Sequence, residues 1–223
     1  MKEFKISNKG TTQLFRNPVL ERLTRTPFAL PVIFYLLVSV AATIYYSDTF
    51  EPSLLTDILM FLAGMFFFTL IEYIIHRFVF HFHATSEKQI EFQYSIHGVH
   101  HEFPRDKDRL VMPPVVSVVI AAAFYFLFRL IFSEQGLMFF AGFCTGYSIY
   151  LLIHYAVHKF RPPRNFFRFW WRHHSLHHYY SNEASFSVSN PLWDLLFGTM
   201  PKKGFPQGKE EEMKNLFTEQ HVE

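Results

Sequence analysis

Four apolar runs constrain this chain more than any other feature. Phe28 to Tyr46, Leu54 to Ile75, Pro113 to Phe132 and Leu137 to Val157 each approach the roughly 20 residues that an α-helix needs to cross a bilayer core. Charges inside them are sparse: Asp57 and Glu72 near the two ends of the second, and Arg129 late in the third. Four such runs in 223 residues leave little chain for a soluble core, so the expected fold is an all-α integral membrane protein. Ser47 to Ser53 links the first pair and Ser133-Glu134-Gln135-Gly136 the second, which predicts two helical hairpins. The first run is about 19 residues long, longer than the core of a cleavable signal peptide, and reads as a retained anchor.

Lys and Arg orient the hairpins. Of the 21, six lie in residues 1–27, five between His76 and Met112 and nine from His158 onward; the remaining one is Arg129, and neither turn within a hairpin has any. Because Lys and Arg mark the cytosolic side, both termini and both segments that follow a hairpin are expected there. The organisation is then a basic cytosolic leader (1–27), a membrane domain (28–200) and a charged tail (201–223). A net charge of +2, with no basic tract interleaved with aromatics outside juxtamembrane positions, argues against a nucleic-acid partner. The single cysteine, Cys144, rules out an internal disulfide and a thiolate-rich metal site.

Twelve of the 13 histidines fall between His76 and His178. They form groups at His76, His81 and His83; His97, His100 and His101; His154 and His158; and His173, His174, His177 and His178. The groups lie at the cytosolic ends of the second and fourth runs or in the segments that follow them, and ionisable side chains at membrane helix ends are costly and usually functional. Residues three or four apart share a helix face, so the groups after His76 and His81 can each present several imidazoles together. His76 and His81 lie about 140° apart on an ideal helix and need a helix end or distortion between them. The ten best-spaced histidines exceed the four ligands of one tetrahedral zinc, and two ions would use them. Neutral imidazoles leave the metal charge uncompensated, so nearby carboxylates, Glu72 four residues before His76 and Asp194 in Pro-Leu-Trp-Asp, are candidates to fix imidazole tautomers.

Between the hairpins, Ser86-Glu87-Lys88-Gln89 fits a capping box and Pro104 a helix stop. That helix would carry Ile90, Tyr94, His97 and His101 along one face. After Arg161-Pro162-Pro163, Asn165 suits the N-cap of a second cytosolic helix, whose Phe and Trp residues with Arg168 and Arg172 fit the headgroup layer.

Glu72-Tyr73-Ile74-Ile75-His76-Arg77-Phe78-Val79-Phe80-His81, His97-Gly98-Val99-His100-His101, Arg109-Leu110-Val111-Met112-Pro113-Pro114, His154-Tyr155-Ala156-Val157-His158 and His174-Ser175-Leu176-His177-His178, closed by Leu192-Trp193-Asp194, resemble the catalytic domain of fatty acid 2-hydroxylases in the fatty acid hydroxylase and sterol desaturase superfamily. The resemblance covers roughly residues 20–200. It implies a dimetal centre in a cytosolic cap over four membrane helices, with His76, His81, His97, His100, His101, His154, His158, His174, His177 and His178 as ligands. His83 and His173 lie beside the matching positions. Phe82-His83-Ala84-Thr85 replaces the proline-containing stretch typical after the first group. Many relatives carry a haem-binding b-type cytochrome domain before the first span, which 27 residues do not encode.

The implied activity is O2-dependent hydroxylation at carbon 2 of a fatty acyl chain, free or in a sphingolipid such as ceramide, in the endoplasmic reticulum or bacterial inner membrane. Two irons are expected, although zinc, which outcompetes ferrous iron at such sites, can fill a purified sample. Zinc alone has no redox chemistry. The chain has no dinucleotide fingerprint and cannot hold a four-cysteine iron–sulfur cluster, so electrons are expected from a separate b-type cytochrome or ferredoxin with its reductase. Arg105, Lys107, Arg109, Lys159, Arg161, Arg164 and Arg168 are candidates to meet it. Sterol, carotenoid or aminolipid hydroxylation is the nearest alternative. A zinc membrane hydrolase lacks an obvious general base, as no HExxH occurs, and a transporter would place its ligands near the bilayer midplane.

Overall fold

The apolar runs are helices in the computed structural model, which describes residues 6–201. The charged tail from Lys202 and His221 lie outside the described residues. After a short helix α1 (Pro18–Leu23) capped by Asn17 come α2 (Ala29–Thr49) and α3 (Leu54–Ile74). Between the hairpins lie α4 (Glu87–Gln93) and α5 (Val99–Glu102), followed by α6 (Pro114–Phe132), α7 (Gly136–Lys159), α8 (Arg168–Tyr179) and α9 (Leu192–Leu196). Three stretches are long and apolar enough to cross a membrane: Ala29–Thr49, Leu54–Phe80 and Lys107–Lys159. The last contains both α6 and α7, parted by a 3-10 turn at Ser133–Gln135 with Ser133 at φ 51°.

The chain divides into two compact units, one of residues 13–72 and 107–155 and the other of the remaining described residues. In the first unit α7 is the central helix, and aromatic side chains fill the space around it. Phe128 meets Phe139 at 4.7 Å between ring centroids and Phe124 meets Phe143 at 4.8 Å, so α6 folds back antiparallel to α7. Small residues let backbones approach, as is usual between membrane helices. A Cβ on Gly64 of α3 would fall 2.0 Å from the Phe139 carbonyl oxygen, and one on Gly142 of α7 would fall 1.9 Å from that of Phe61. On α2, Ser39 donates its hydroxyl to the Ala141 carbonyl at 2.8 Å. The outward faces of these helices expose Leu37, Val40, Leu59, Leu62, Val119 and Leu130, a surface suited to lipid.

The second unit is built on short helices and loops. The capping box at Ser86 and Gln89 forms as its spacing predicts. The α8 helix begins later than the cap expected at Asn165: Phe167 is its N-cap, and Asn165 instead accepts the Phe167 N–H at 3.2 Å. Trp171 turns inward and donates its indole N–H to Phe160 at 2.8 Å, while Phe166 and Phe167 are exposed.

Candidate metal centre

The local path of the chain solves the spacing problem between His76 and His81. Below α3 the backbone passes into a π-helical turn, Ile75–Phe80, closed by the His81 N–H donating to the His76 carbonyl at 3.1 Å. Hydrogen bonding from i to i+5 returns residues five apart to one side of the helix. The two rings accordingly lie 5.0 Å apart. A second π-helical turn, Tyr94–Gly98, joins α4 to α5 and precedes the buried His100 and His101. From α8 come His174, His177 and His178, all buried.

These elements gather nine of the ten histidines into two groups within one unit. In the first, one ring nitrogen from each of His76, His81, His97, His101 and His177 lies within 4.8 Å of all the others. His97 Nε2 is 3.1 Å from Nε2 of both His76 and His101, and His177 Nε2 is 3.0 Å from that of His81. His100, His158, His174 and His178 meet the same 4.8 Å limit in the second group, with His158 and His174 Nε2 atoms 2.8 Å apart. The groups adjoin through the stacked rings of His101 and His178, 4.3 Å apart.

The tenth, His154, belongs to the helical unit and stands one turn before His158 on α7. Its Nδ1 donates to the Leu110 carbonyl at 3.1 Å. The segment around Leu110 is held in turn by the leader. Thr26 N–H donates to Asp108 O at 2.8 Å, and Arg109 is buried against Glu21 at 2.5 Å. Burial pushes the Glu21 carboxyl up, but the N–H groups of Phe15 and Leu14 and the Arg25 and Arg109 guanidinium groups hold it below its usual range. Arg109 is therefore an internal anchor rather than one of the exposed cations expected to meet a donor; Arg161, Arg164 and Arg168 are exposed.

For two rings of the first group, hydrogen bonds to carbonyls settle which nitrogen faces the cluster, since a carbonyl can only accept. His76 Nδ1 donates to Phe186 O, and His177 Nδ1 to Ala184 O at 2.8 Å. A neutral ring with its proton on Nδ1 carries its lone pair on Nε2. Burial, reinforced by neighbouring imidazoles, lowers the proton affinity of His81, His97 and His178 far below the ordinary value. This favours the neutral form of these three rings, the form in which an imidazole binds a metal.

The donor set fits metal ions. Lone pairs converge on one another in the first group, and in the second both buried ring nitrogens of His178 lack a hydrogen-bond partner. Imidazole nitrogens about 2.0–2.1 Å from one ion lie ~3.0 Å apart at right angles and ~3.4 Å apart in a tetrahedron. Four Nε2 pairs, 2.8 to 3.1 Å apart, are close enough to share an ion.

Of the two carboxylates, Asp194 is fully buried and Glu72 is buried near Tyr150. Asp194 accepts from His173 Nε2 at 3.0 Å, so its histidine partner is one outside the ten. The sequence gives no sign of this pair beyond the adjacency of His173 to the last group. His83 is exposed and joins neither group.

Comparison with known proteins follows this geometry. The fatty acid hydroxylase family model matches residues 61–199. Mouse fatty acid 2-hydroxylase is 34% identical over 217 residues, covering 87% of this chain and 58% of the mouse protein. An Arabidopsis thaliana dihydroceramide fatty acyl 2-hydroxylase is 32% identical over 204 residues, covering 91% and 85% of the two chains. The solved structure described as full-length scs7p, with only its hydroxylase domain visible, superposes with a TM-score of 0.80 at 35% identity, covering 89% of this chain and 75% of that one. The chain thus spans less than two thirds of the mouse protein's length.

Proposed function

The chain belongs to the fatty acid hydroxylase family, and from that premise we propose that it is a membrane-bound di-iron monooxygenase acting on carbon 2 of a fatty acyl chain, free or within a ceramide. The observation that carries this is the pair of largely buried imidazole groups whose nitrogens converge on one another. His76, His81, His97, His101 and His177 would hold one ion. His100, His158, His174 and His178 would hold the other, with His154 added by its place one turn before His158 on α7. Five imidazoles in one group exceed the usual four ligands of a structural zinc site and favour iron. Bound iron supplies the redox chemistry that activates O2. The protein's own residues keep the imidazoles neutral, fix their tautomers through backbone carbonyls and shield the site from water by burial.

The names of the relatives, a fatty acid 2-hydroxylase and a dihydroceramide fatty acyl 2-hydroxylase, support this substrate. Four spans in two hairpins, with both termini cytosolic, fit the fold-back of α6 on α7 and the distribution of Lys and Arg. Endoplasmic reticulum or bacterial inner membrane are the settings this allows. Electrons come from a separate b-type cytochrome or ferredoxin.

The test is turnover of ceramide and free fatty acid by iron-loaded protein in lipid, with 18O2, NADPH, a reductase and a small redox carrier. Mass spectrometry should find one 18O atom at acyl carbon 2. Label found only on a ring or headgroup would replace this substrate with a sterol, carotenoid or aminolipid, and an oxygen-independent product would exclude a monooxygenase.

A further inference from the structure

We infer that Asp194 is a positioning residue for one metal ion only, acting through two peptide units of the loop after α8 on His76 and His177. The inference rests on the di-iron proposal and adds to it an unequal division of support between the two ions. Asp194 is completely buried and its carboxylate accepts four hydrogen bonds. One oxygen takes the Phe186 N–H at 2.9 Å and the Thr199 hydroxyl at 2.7 Å; the other takes the Ser187 N–H at 2.9 Å and His173 Nε2 at 3.0 Å.

The Ser187 N–H and the Phe186 carbonyl belong to one peptide plane and point in opposite directions. Asp194 grips the N–H end, and His76 donates Nδ1–H to the carbonyl end. A carboxylate on the donor side polarises the peptide and makes its carbonyl a stronger acceptor, which raises the basicity of the far nitrogen of the imidazole. A second plane works in parallel. The Ala184 carbonyl accepts from His177 at 2.8 Å, and the N–H of the same peptide, on Ser185, donates to Thr199 O at 3.0 Å. Thr199 is tied to Asp194 twice, by its hydroxyl and by its N–H on the Asp194 carbonyl at 2.8 Å.

Between the two planes Ser185 adopts φ 57°, a left-handed conformation that non-glycine residues seldom take. Such outliers persist where the surroundings over-determine them, often at functional sites. Here the turn lets carbonyls two residues apart both meet imidazoles, and both imidazoles belong to the first group.

The experiment uses the full chain in lipid nanodiscs, loaded anaerobically with ferrous iron and then challenged with a chelator, with iron per protein measured by mass spectrometry. In Asp194→Asn the amide NH2 must replace one carboxylate oxygen and so face the N–H of either Phe186 or Ser187, so at least one N–H bond that holds the loop to residue 194 is lost. One of the two irons should then bind ~10- to 100-fold more weakly, the range for loss of a partner behind a ligand. The other should be retained. Adding His178→Ala to that variant should remove the retained iron, and adding His76→Ala should not. Thr199→Val, which deletes a single bond, should weaken the same iron less. If Asp194→Asn fails to fold, Thr199→Val alone decides: unequal loss supports the relay, and wild-type retention overturns it. Retention of both irons by folded Asp194→Asn, or equal loss of both with helicity intact, also overturns it. Wild-type protein that binds fewer than two irons would instead overturn the di-iron proposal itself.

Discussion

Acidifying the metal-free protein should cost stability before any carboxylate titrates. His97 and His178 are buried, and desolvation, with repulsion from neighbouring imidazoles, puts their pKa values well below the ordinary 6.5. In the unfolded chain they regain that value and take up protons. Below pH 6.5 the unfolded state therefore binds more protons than the folded state, and stability falls as pH falls until the folded pKa is reached. At pH 5.5, one unit below the unfolded value, each group costs on the order of 1 kcal/mol, so the pair costs roughly 2 to 3 kcal/mol. His81 shifts in the same direction but is part-exposed and should add less. Asp194, which burial pushes up but which four hydrogen bonds hold below 3.8, stays ionised throughout this window. The assay is reversible unfolding of metal-free protein in mixed micelles at pH 7.5 and 5.5, with His178→Gln alongside. The variant should lose on the order of 1 kcal/mol less than the parent over that interval. A parental change under about 0.5 kcal/mol, or an identical change in the variant, would refute the argument.

Three further outcomes follow from the structure. Gly142→Ala should destabilise by about 1–3 kcal/mol or more, because its new methyl meets the Phe61 backbone rather than a movable side chain; thermal unfolding in lipid would show it. Combined with Gly64→Ala the loss should be less than the sum, since one separation of α3 from α7 relieves both clashes, and additive losses would contradict that. His97→Ala removes the nitrogen 3.1 Å from two others and should lower bound iron from two per chain to about one, read by metal analysis, with hydroxylation abolished. Arg164→Glu with Arg168→Glu, both exposed, should lower kcat/KM for an acidic redox donor and flatten its salt dependence while leaving the lipid KM unchanged.

The long apolar helices were legible because hydropathy over some 20 residues is a strong, local signal; their boundaries moved by only a few residues. The need for a distortion between His76 and His81 was also legible, since five residues cannot share a face of an α-helix. That the distortion is a π turn was not. A shift from i+4 to i+5 bonding has no residue code and depends on what the displaced side chain gains, here a place among four other buried imidazoles. Spacing failed differently for Arg109. As a cation in a juxtamembrane segment it resembled its exposed neighbours, and only the fold brings Glu21, 88 residues away, against it.

The loop from Ala184 to Val188 marks the deeper limit. Its side chains, Ala-Ser-Phe-Ser-Val, carry no ligand, and nothing in their order distinguishes them from an ordinary connection. Its contribution is made by main-chain carbonyls, which every residue possesses and which sequence patterns cannot rank. What the sequence does offer is the carboxylate that fixes those carbonyls: Asp194, in the only Trp-Asp pair of the chain, is readable as a candidate partner for histidine. The structure changes the route, since Asp194 meets His173 directly and reaches His76 through the Ser187 amide. A buried charge acting through one peptide plane leaves the two ends of the relay 118 residues apart in the chain, so no local motif can contain both.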